Sequence, residues 1–121
     1  CPMICYDLRF PVFARNDMDY DLLLFVANWP NTRISAWDAL LRARAIENQA
    51  YVIGLNRVGT DGFNAQYPGH SQVLDPEGDR ISMAPEYEVG LVEVTLSKNY
   101  LIECRKRHPF LSDRDTFTIT D

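Results

Sequence analysis

Lysine is almost missing from this sequence: among 121 residues only Lys98 and Lys106 carry an ammonium side chain, and both lie near the C-terminal end. Histidine is equally scarce, with His70 and His108 far apart in the chain, so a histidine-based zinc site has too few ligands at the right spacing. Cysteine occurs three times, as Cys1, Cys5 and Cys104, an odd count at irregular intervals that argues against a disulfide framework and for a reducing compartment. No long apolar run exists either. The longest, Leu22 to Ala27, is far too short to span a bilayer, and no secretory pattern precedes Cys5. A surplus of basic charge is also lacking: the net charge is −5, which disfavours attraction to nucleic acid or an anionic membrane. The densest basic stretch, Arg105-Lys106-Arg107, is suited to the C-terminal end of a helix dipole.

What is present is a soluble globular composition, 46% hydrophobic and 24% charged, with seven prolines and six glycines scattered along the chain and no linker or repeat. Pro2 to Ile4 reads as the tail of a buried strand, and Pro11 to Arg15 as a short helix with proline in its first turn. Leu22 to Val26 is continuously apolar, the pattern of a strand covered on both faces. Ser35 and Asp38 have the spacing of a capping box, and Trp37, Leu40, Leu41 and Ala45 then follow a helical stripe. Tyr51 to Leu55 is the next strand. Gln72-Val73-Leu74 and Arg80 to Met83 flank the turn residues Asp75-Pro76-Glu77-Gly78-Asp79, as in a hairpin. Val89 to Val94 gives a further strand, and Ser97 caps a last helix running through Arg107. Alternating strands and helices of these lengths indicate a layered α/β domain.

Cys5 holds most of the functional information. It stands between the apolar approach Pro2-Met3-Ile4 and the polar exit Tyr6-Asp7-Leu8-Arg9, where a strand-to-helix elbow presents a nucleophile to a cleft with backbone N–H groups aimed at the same point. The competing reading is a small buried thiol that never reacts. Arg9 has two readings as well: a local ion pair with Asp7, or a guanidinium whose paired donors match a carboxylate. Asn28 and Trp29 follow a buried strand at the position where α/β sheets hold ligands, so Trp29 is either a pocket wall or a tryptophan closing the core edge. Arg33 in the same loop is a second carboxylate reader or a solvated arginine. His70 beside Cys5 would formally compose a thiol–imidazole couple, but a histidine next to a glycine turn is more often structural. His108 and Cys104 read as helix-end and packing residues.

Three strings in order, Ile4-Cys5-Tyr6-Asp7-Leu8-Arg9-Phe10-Pro11, Ala43-Arg44-Ala45-Ile46-Glu47-Asn48-Gln49 and Gly69-His70-Ser71, resemble the nitrilase superfamily of carbon–nitrogen hydrolases. With Phe25-Val26-Ala27-Asn28-Trp29-Pro30 and Trp37, the chain is most similar to the omega-amidase branch. The resemblance implies the C-terminal half of a four-layer α-β-β-α sandwich for residues 1–121, the N-terminal portion lying outside this sequence, which begins at Cys1 without an initiator methionine. It implies an amidase that cleaves the C–N bond of small carboxamides, ω-monoamides of dicarboxylic acids, to acid and ammonia through a cysteine thioester. Cys5 would be the nucleophile, the Tyr6 backbone N–H an oxyanion donor, and Arg9, Asn28 and Trp29 the substrate-binding residues. The family's glutamate and lysine fall upstream, so these residues alone are expected to be inactive, and Glu47 is expected to be structural and not a replacement base. No cofactor or metal is implied; a small amide is the expected partner, with homodimers in the cytoplasm. A nitrilase or carbamoyl hydrolase of the same superfamily, or a non-catalytic half-domain acting in assembly, are the alternatives.

Overall fold

The computed structural model describes residues 1–120. Among the described residues seven strands form: β1 (Pro2–Ile4), β2 (Leu22–Ala27), β3 (Tyr51–Asn56), β4 (Val58–Thr60), β5 (Gln66–Pro68), β6 (Gln72–Leu74) and β7 (Arg80–Met83). Five of them make one mixed sheet in the order β1-β2-β3-β6-β7, with β1, β2 and β3 parallel and β6 and β7 antiparallel additions; β4 and β5 pair as a separate hairpin. The apolar run of β2 therefore occupies an interior position, as its composition demands. Its register is Leu24 opposite Pro2 and Ile53, then Phe25 opposite Met3 and Gly54.

Helix α1 (Ile34–Asn48) lies on one face of this sheet. Leu23, Phe25, Ala27 and Val52 from the strands meet Trp37, Leu41 and Ala45 from the helix in a core to which Leu8, Trp29 and Leu74 also belong. Side chains alternate faces along a strand, so the partners of these residues point the other way. There Ile4, Val26 and Leu55, which stand in register across β1, β2 and β3, are 72%, 49% and 53% exposed. Helix α2 (Lys98–Arg107) closes the end where β2 and β3 begin. Arg105 donates to the carbonyls of Gln49 and Tyr20, Lys98 pairs with Asp21, and Leu101 and Cys104 turn inward. Ser97 caps it by accepting from the Tyr100 N–H at 3.2 Å. No helix among the described residues is long and apolar enough to cross a membrane.

Three expected features take other forms. The Ser35/Asp38 capping box is not made, because a 3-10 turn over Asn31–Arg33 runs straight into α1 and places both residues inside the helical stretch. Pro11–Arg15 is a series of i to i+3 turns and not a helix, with Phe13, Ala14 and Arg15 donating to Phe10, Pro11 and Val12. Val89–Val94 runs without a ladder partner, its Val89 and Leu91 side chains almost fully exposed; strand-forming composition makes no strand where no neighbour takes up the backbone hydrogen bonds. The β4–β5 hairpin was not anticipated, although Asp61-Gly62 at its turn is a hairpin signal. Asp61 organises that turn by accepting from the Phe63 and Ala65 N–H groups, each at 2.9 Å. The C-terminal stretch folds back on the chain itself: Arg114 bonds the Asn16 carbonyl and pairs with Asp19 at 2.8 Å, and Arg15 stands over the Phe117 ring.

Two expectations follow. A Cβ on Gly54 would lie 2.7 Å from Trp37 Cζ2 and closer still to Leu41, both fully buried, so Gly54→Ala should destabilise the fold by about 1–3 kcal/mol; urea denaturation of the two forms measures it. Burial pushes the Cys104 thiol up, with the Glu77 charge adding and Tyr100 partly offsetting. Iodoacetamide at mildly alkaline pH should therefore modify the exposed Cys1 and spare Cys104 until denaturant is added, as read by peptide mass.

Candidate functional site

The parallel register brings the C-terminal ends of β1, β2 and β3 to one edge, which is where ligands sit in open α/β sheets. Directly after β1 the chain turns through a 3-10 segment, Cys5–Arg9. Cys5 opens it with φ +39°, a left-handed conformation that costs a non-glycine residue on the order of 1–2 kcal/mol. The surroundings over-determine it: Asp7 folds back to accept from the Ile4 N–H at 2.9 Å, Leu8 is fully buried, and the Arg44 guanidinium of α1 donates to the Leu8 carbonyl. Cys5 is left half-buried at the point of the elbow. The Tyr6 N–H stands among the first N–H groups of this turn, which lack intrahelical acceptors, while the Tyr6 ring is exposed and packs edge-on against Phe10.

Arg9, at the end of the same turn, makes no ion pair with Asp7, whose carboxylate is held by Ile4. Its guanidinium instead lies over the Trp29 ring, 4.8 Å from the centroid. Thus two residues singled out in the sequence meet across the β1 and β2 exits. Trp29 is buried, and its Nε1 donates to the Arg33 carbonyl at 2.7 Å, closing the loop between β2 and α1. Beneath it lies Trp37, ring centroids 5.6 Å apart. Asn28 is an exposed side chain at the same edge, and Arg33 is likewise exposed.

The residue missed in the sequence is Asn56, the last of β3. Its Oδ1 accepts from the Trp29 N–H at 2.7 Å, and its Nδ2 donates to the Trp29 carbonyl at 3.0 Å and the Gly69 carbonyl at 2.6 Å. Ser71 completes the clasp, its Oγ accepting from the Asn56 N–H at 2.9 Å and donating back to the Asn56 carbonyl. Nearby, the Arg57 guanidinium covers the Tyr67 ring at 4.7 Å. The Phe63 and Ala65 N–H groups and the Tyr67 hydroxyl hold the Asp61 carboxyl below its ordinary range.

Two candidate bases are otherwise engaged. Glu47 bonds Arg44 at 2.9 Å, and Asn48 in the next position binds the Asn16 N–H, so this stretch ties α1 to the turns beside it. His70 has Asp38 on Nδ1 at 3.0 Å and Glu86 on Nε2 at 3.0 Å, which leaves neither ring nitrogen for Cys5. The Trp37 Nε1 donates to the His70 carbonyl at 2.9 Å, fixing the loop before β6 to α1.

Relatives are found over this whole architecture. The chain is 51% identical over 118 residues to the omega-amidase YafV of Escherichia coli strain K12, an alignment covering 98% of this chain and 46% of that protein. The solved structure of XC1258 from Xanthomonas campestris, a CN-hydrolase superfamily protein with an arsenic adduct in its active site, superposes with a TM-score of 0.94 at 46% identity, over 98% of this chain and 48% of that one. A variant of the amidase from Nesterenkonia sp., solved after Michael addition of acrylamide at its active-site cysteine, gives a TM-score of 0.72 at 30% identity, over 88% and 42% of the two chains. The chain thus spans about half the length of the relatives it matches. The sequence pattern of the family described as carbon-nitrogen hydrolase extends over residues 2–106, from the first strand through nearly all of α2. With that pattern over most of its length and about half of its residues shared with a relative along 98% of the chain, the chain belongs to the carbon–nitrogen hydrolase family.

Proposed function

We propose that residues 1–121 supply the nucleophile and the carboxylate-reading side of an amidase site that acts on small ω-monoamides of dicarboxylic acids. The observation that carries this reading is the pairing of Cys5, at a left-handed elbow, with Arg9 in the same turn, its guanidinium over the Trp29 ring and free of any internal carboxylate among the described residues. The relatives named omega-amidase and amidase agree with it.

The chemistry proceeds in two halves. The Cys5 thiol gives its proton to a general base and the sulfur attacks the carboxamide carbon; the oxyanion that forms accepts from the Tyr6 N–H. The C–N bond breaks as the nitrogen takes that proton, ammonia leaves, and a thioester remains. Water then attacks the thioester, losing a proton to the same base and restoring the thiol as the acid departs. We assign the base and the second oxyanion donor to a glutamate and a lysine outside these residues, as the family resemblance implies. Arg9 holds the far carboxylate by a two-point hydrogen bond, Trp29 forms the apolar wall along the methylene chain, and Asn28 lies at the mouth. The assembled enzyme is proposed to be a homodimer in the cytoplasm, in keeping with three unpaired thiols.

Succinamate and butyramide, which differ in the terminal carboxylate, test the reading in the full-length enzyme. Cys5→Ala should abolish ammonia release from both. Arg9→Met should lower the succinamate-to-butyramide ratio of kcat/KM on the order of 100-fold, equivalent to about 2.7 kcal/mol. A ratio that Arg9→Met leaves intact would remove Arg9 from the site. Residues 1–121 alone should release no ammonia from either amide, and steady release lost on Cys5→Ala would overturn the assignment of the base to sequence outside them.

A further inference from the structure

The carboxylate reader stands on a platform, the Trp29 ring, and one side chain from the end of β3 clasps the backbone of that platform. Arg9 lies on the Trp29 ring; Trp29 sits in the exit loop of β2, which has no ladder to hold it once β2 ends at Ala27. The indole is fixed by its bond to the Arg33 carbonyl and by Trp37 beneath it, and the backbone is fixed by the Asn56 side chain, closed on Trp29 by two hydrogen bonds, 2.7 Å from the N–H and 3.0 Å to the carbonyl. The same amide reaches the Gly69 carbonyl, and Ser71 brackets the Asn56 backbone from the other side. Asn56 is 7% exposed, and its bonds are directional. The opposite amide orientation would set an NH2 against the Trp29 N–H and an oxygen against two carbonyls, so only one arrangement satisfies the set. Aspartate, nearly the same shape, keeps the acceptor for the Trp29 N–H but turns a carboxylate oxygen toward both carbonyls.

We infer that Asn56 is a positioning residue for substrate selection: it sets the Trp29 backbone, the indole sets the Arg9 guanidinium, and the guanidinium reads the acid end of the substrate. The inference rests on the carboxylate-binding role proposed above for Arg9. It separates Asn56 from a purely structural asparagine because the effect must travel through Arg9 and therefore depend on whether the substrate carries a carboxylate.

The experiment measures kcat and KM of the full-length enzyme on succinamate and butyramide for the parent, Asn56→Asp, Asn56→Ser, Arg9→Met and the Asn56→Asp/Arg9→Met pair. Displacing a positioning group by about an ångström costs on the order of 100-fold. Asn56→Asp should lower the succinamate-to-butyramide ratio by that order, mainly through KM for succinamate. In the Arg9→Met background the same change should produce no further fall in the ratio, because the reader it positions is already gone. Asn56→Ser, which retains a hydroxyl, gives a smaller fall in the same direction and serves where the aspartate variant fails to fold. Equal losses on both amides, or an undiminished fall in the Arg9→Met background, would overturn the inference while leaving the Arg9 assignment standing. A parent enzyme with no preference for succinamate would overturn both.

Discussion

Trp37 is the contact on which the site edge depends. Fully buried, it is pressed against β3 at Gly54, where only a residue without a Cβ admits it, and it lies under Trp29 on the other side. Its Nε1 reaches the His70 carbonyl, so one indole joins helix α1, the sheet, the β2 exit loop and the segment leading into β6. Aromatic rings supply the largest burial of any side chain, and a tilted pair of this kind adds about 0.5–1.5 kcal/mol beyond the area removed from water. The close approach at Gly54 sets Trp37 as the floor under the Trp29 ring, while the Asn56 amide fixes the Trp29 backbone. A helix held further from the sheet would leave the Trp29 ring without a floor.

The second face of the sheet obeys the same physics with the opposite outcome. Ile4, Val26 and Leu55 line up across three strands, and Ile53, Val73, Val89 and Leu91 border a cleft of about 430 Å³ beside them. At roughly 25 cal/mol per Å², an apolar face of this kind is a substantial driving force toward any matching surface. The chain spans about half the length of its relatives, and the sandwich implied by the family resemblance would place a second sheet on this face. Val89–Val94 fits the same picture: its side chains suit a strand, and only a neighbour is wanting. Cys5 lies at the edge common to both faces, so under the proposed function a covering sheet would border it.

Much of this was legible in the residues. Runs of apolar residues locate β2 and β3 because a strand buried within a sheet has no polar side to show, and Asp75 to Asp79 mark the β6–β7 turn because proline and glycine fit few other conformations there. The Cys5 elbow was legible as a change from apolar to polar character, and the structure adds its left-handed φ. What was not legible depends on partners distant in sequence. Asn56 looks like any polar strand end until Trp29, 27 residues earlier, is brought against its amide. Ser35 and Asp38 match a capping pattern, yet the preceding turn feeds the helix directly, and Asp38 faces His70 and Gln72 instead. Local pattern reports what a segment can do; tertiary contacts select among the options.

The two sequence readings of Arg9 were separated by an atom outside the pair. Asp7 could have neutralised Arg9, and an exposed ion pair of that kind is worth about 0–1 kcal/mol, too little to hold against a better use of either group. The Ile4 N–H provides one for Asp7, since satisfying it also fixes the elbow that Cys5 occupies. Arg9, not paired with Asp7, gains about 0.5–1 kcal/mol over the Trp29 face, an interaction that spends none of its N–H donors on a carboxylate. A guanidinium already held against a ring loses less side-chain freedom on binding, so under the proposed reading more of a two-point hydrogen bond to a carboxylate would appear as affinity. The same short turn thus settles the Cys5 backbone and leaves the Arg9 charge unpaired with Asp7, both through where the Asp7 carboxylate goes.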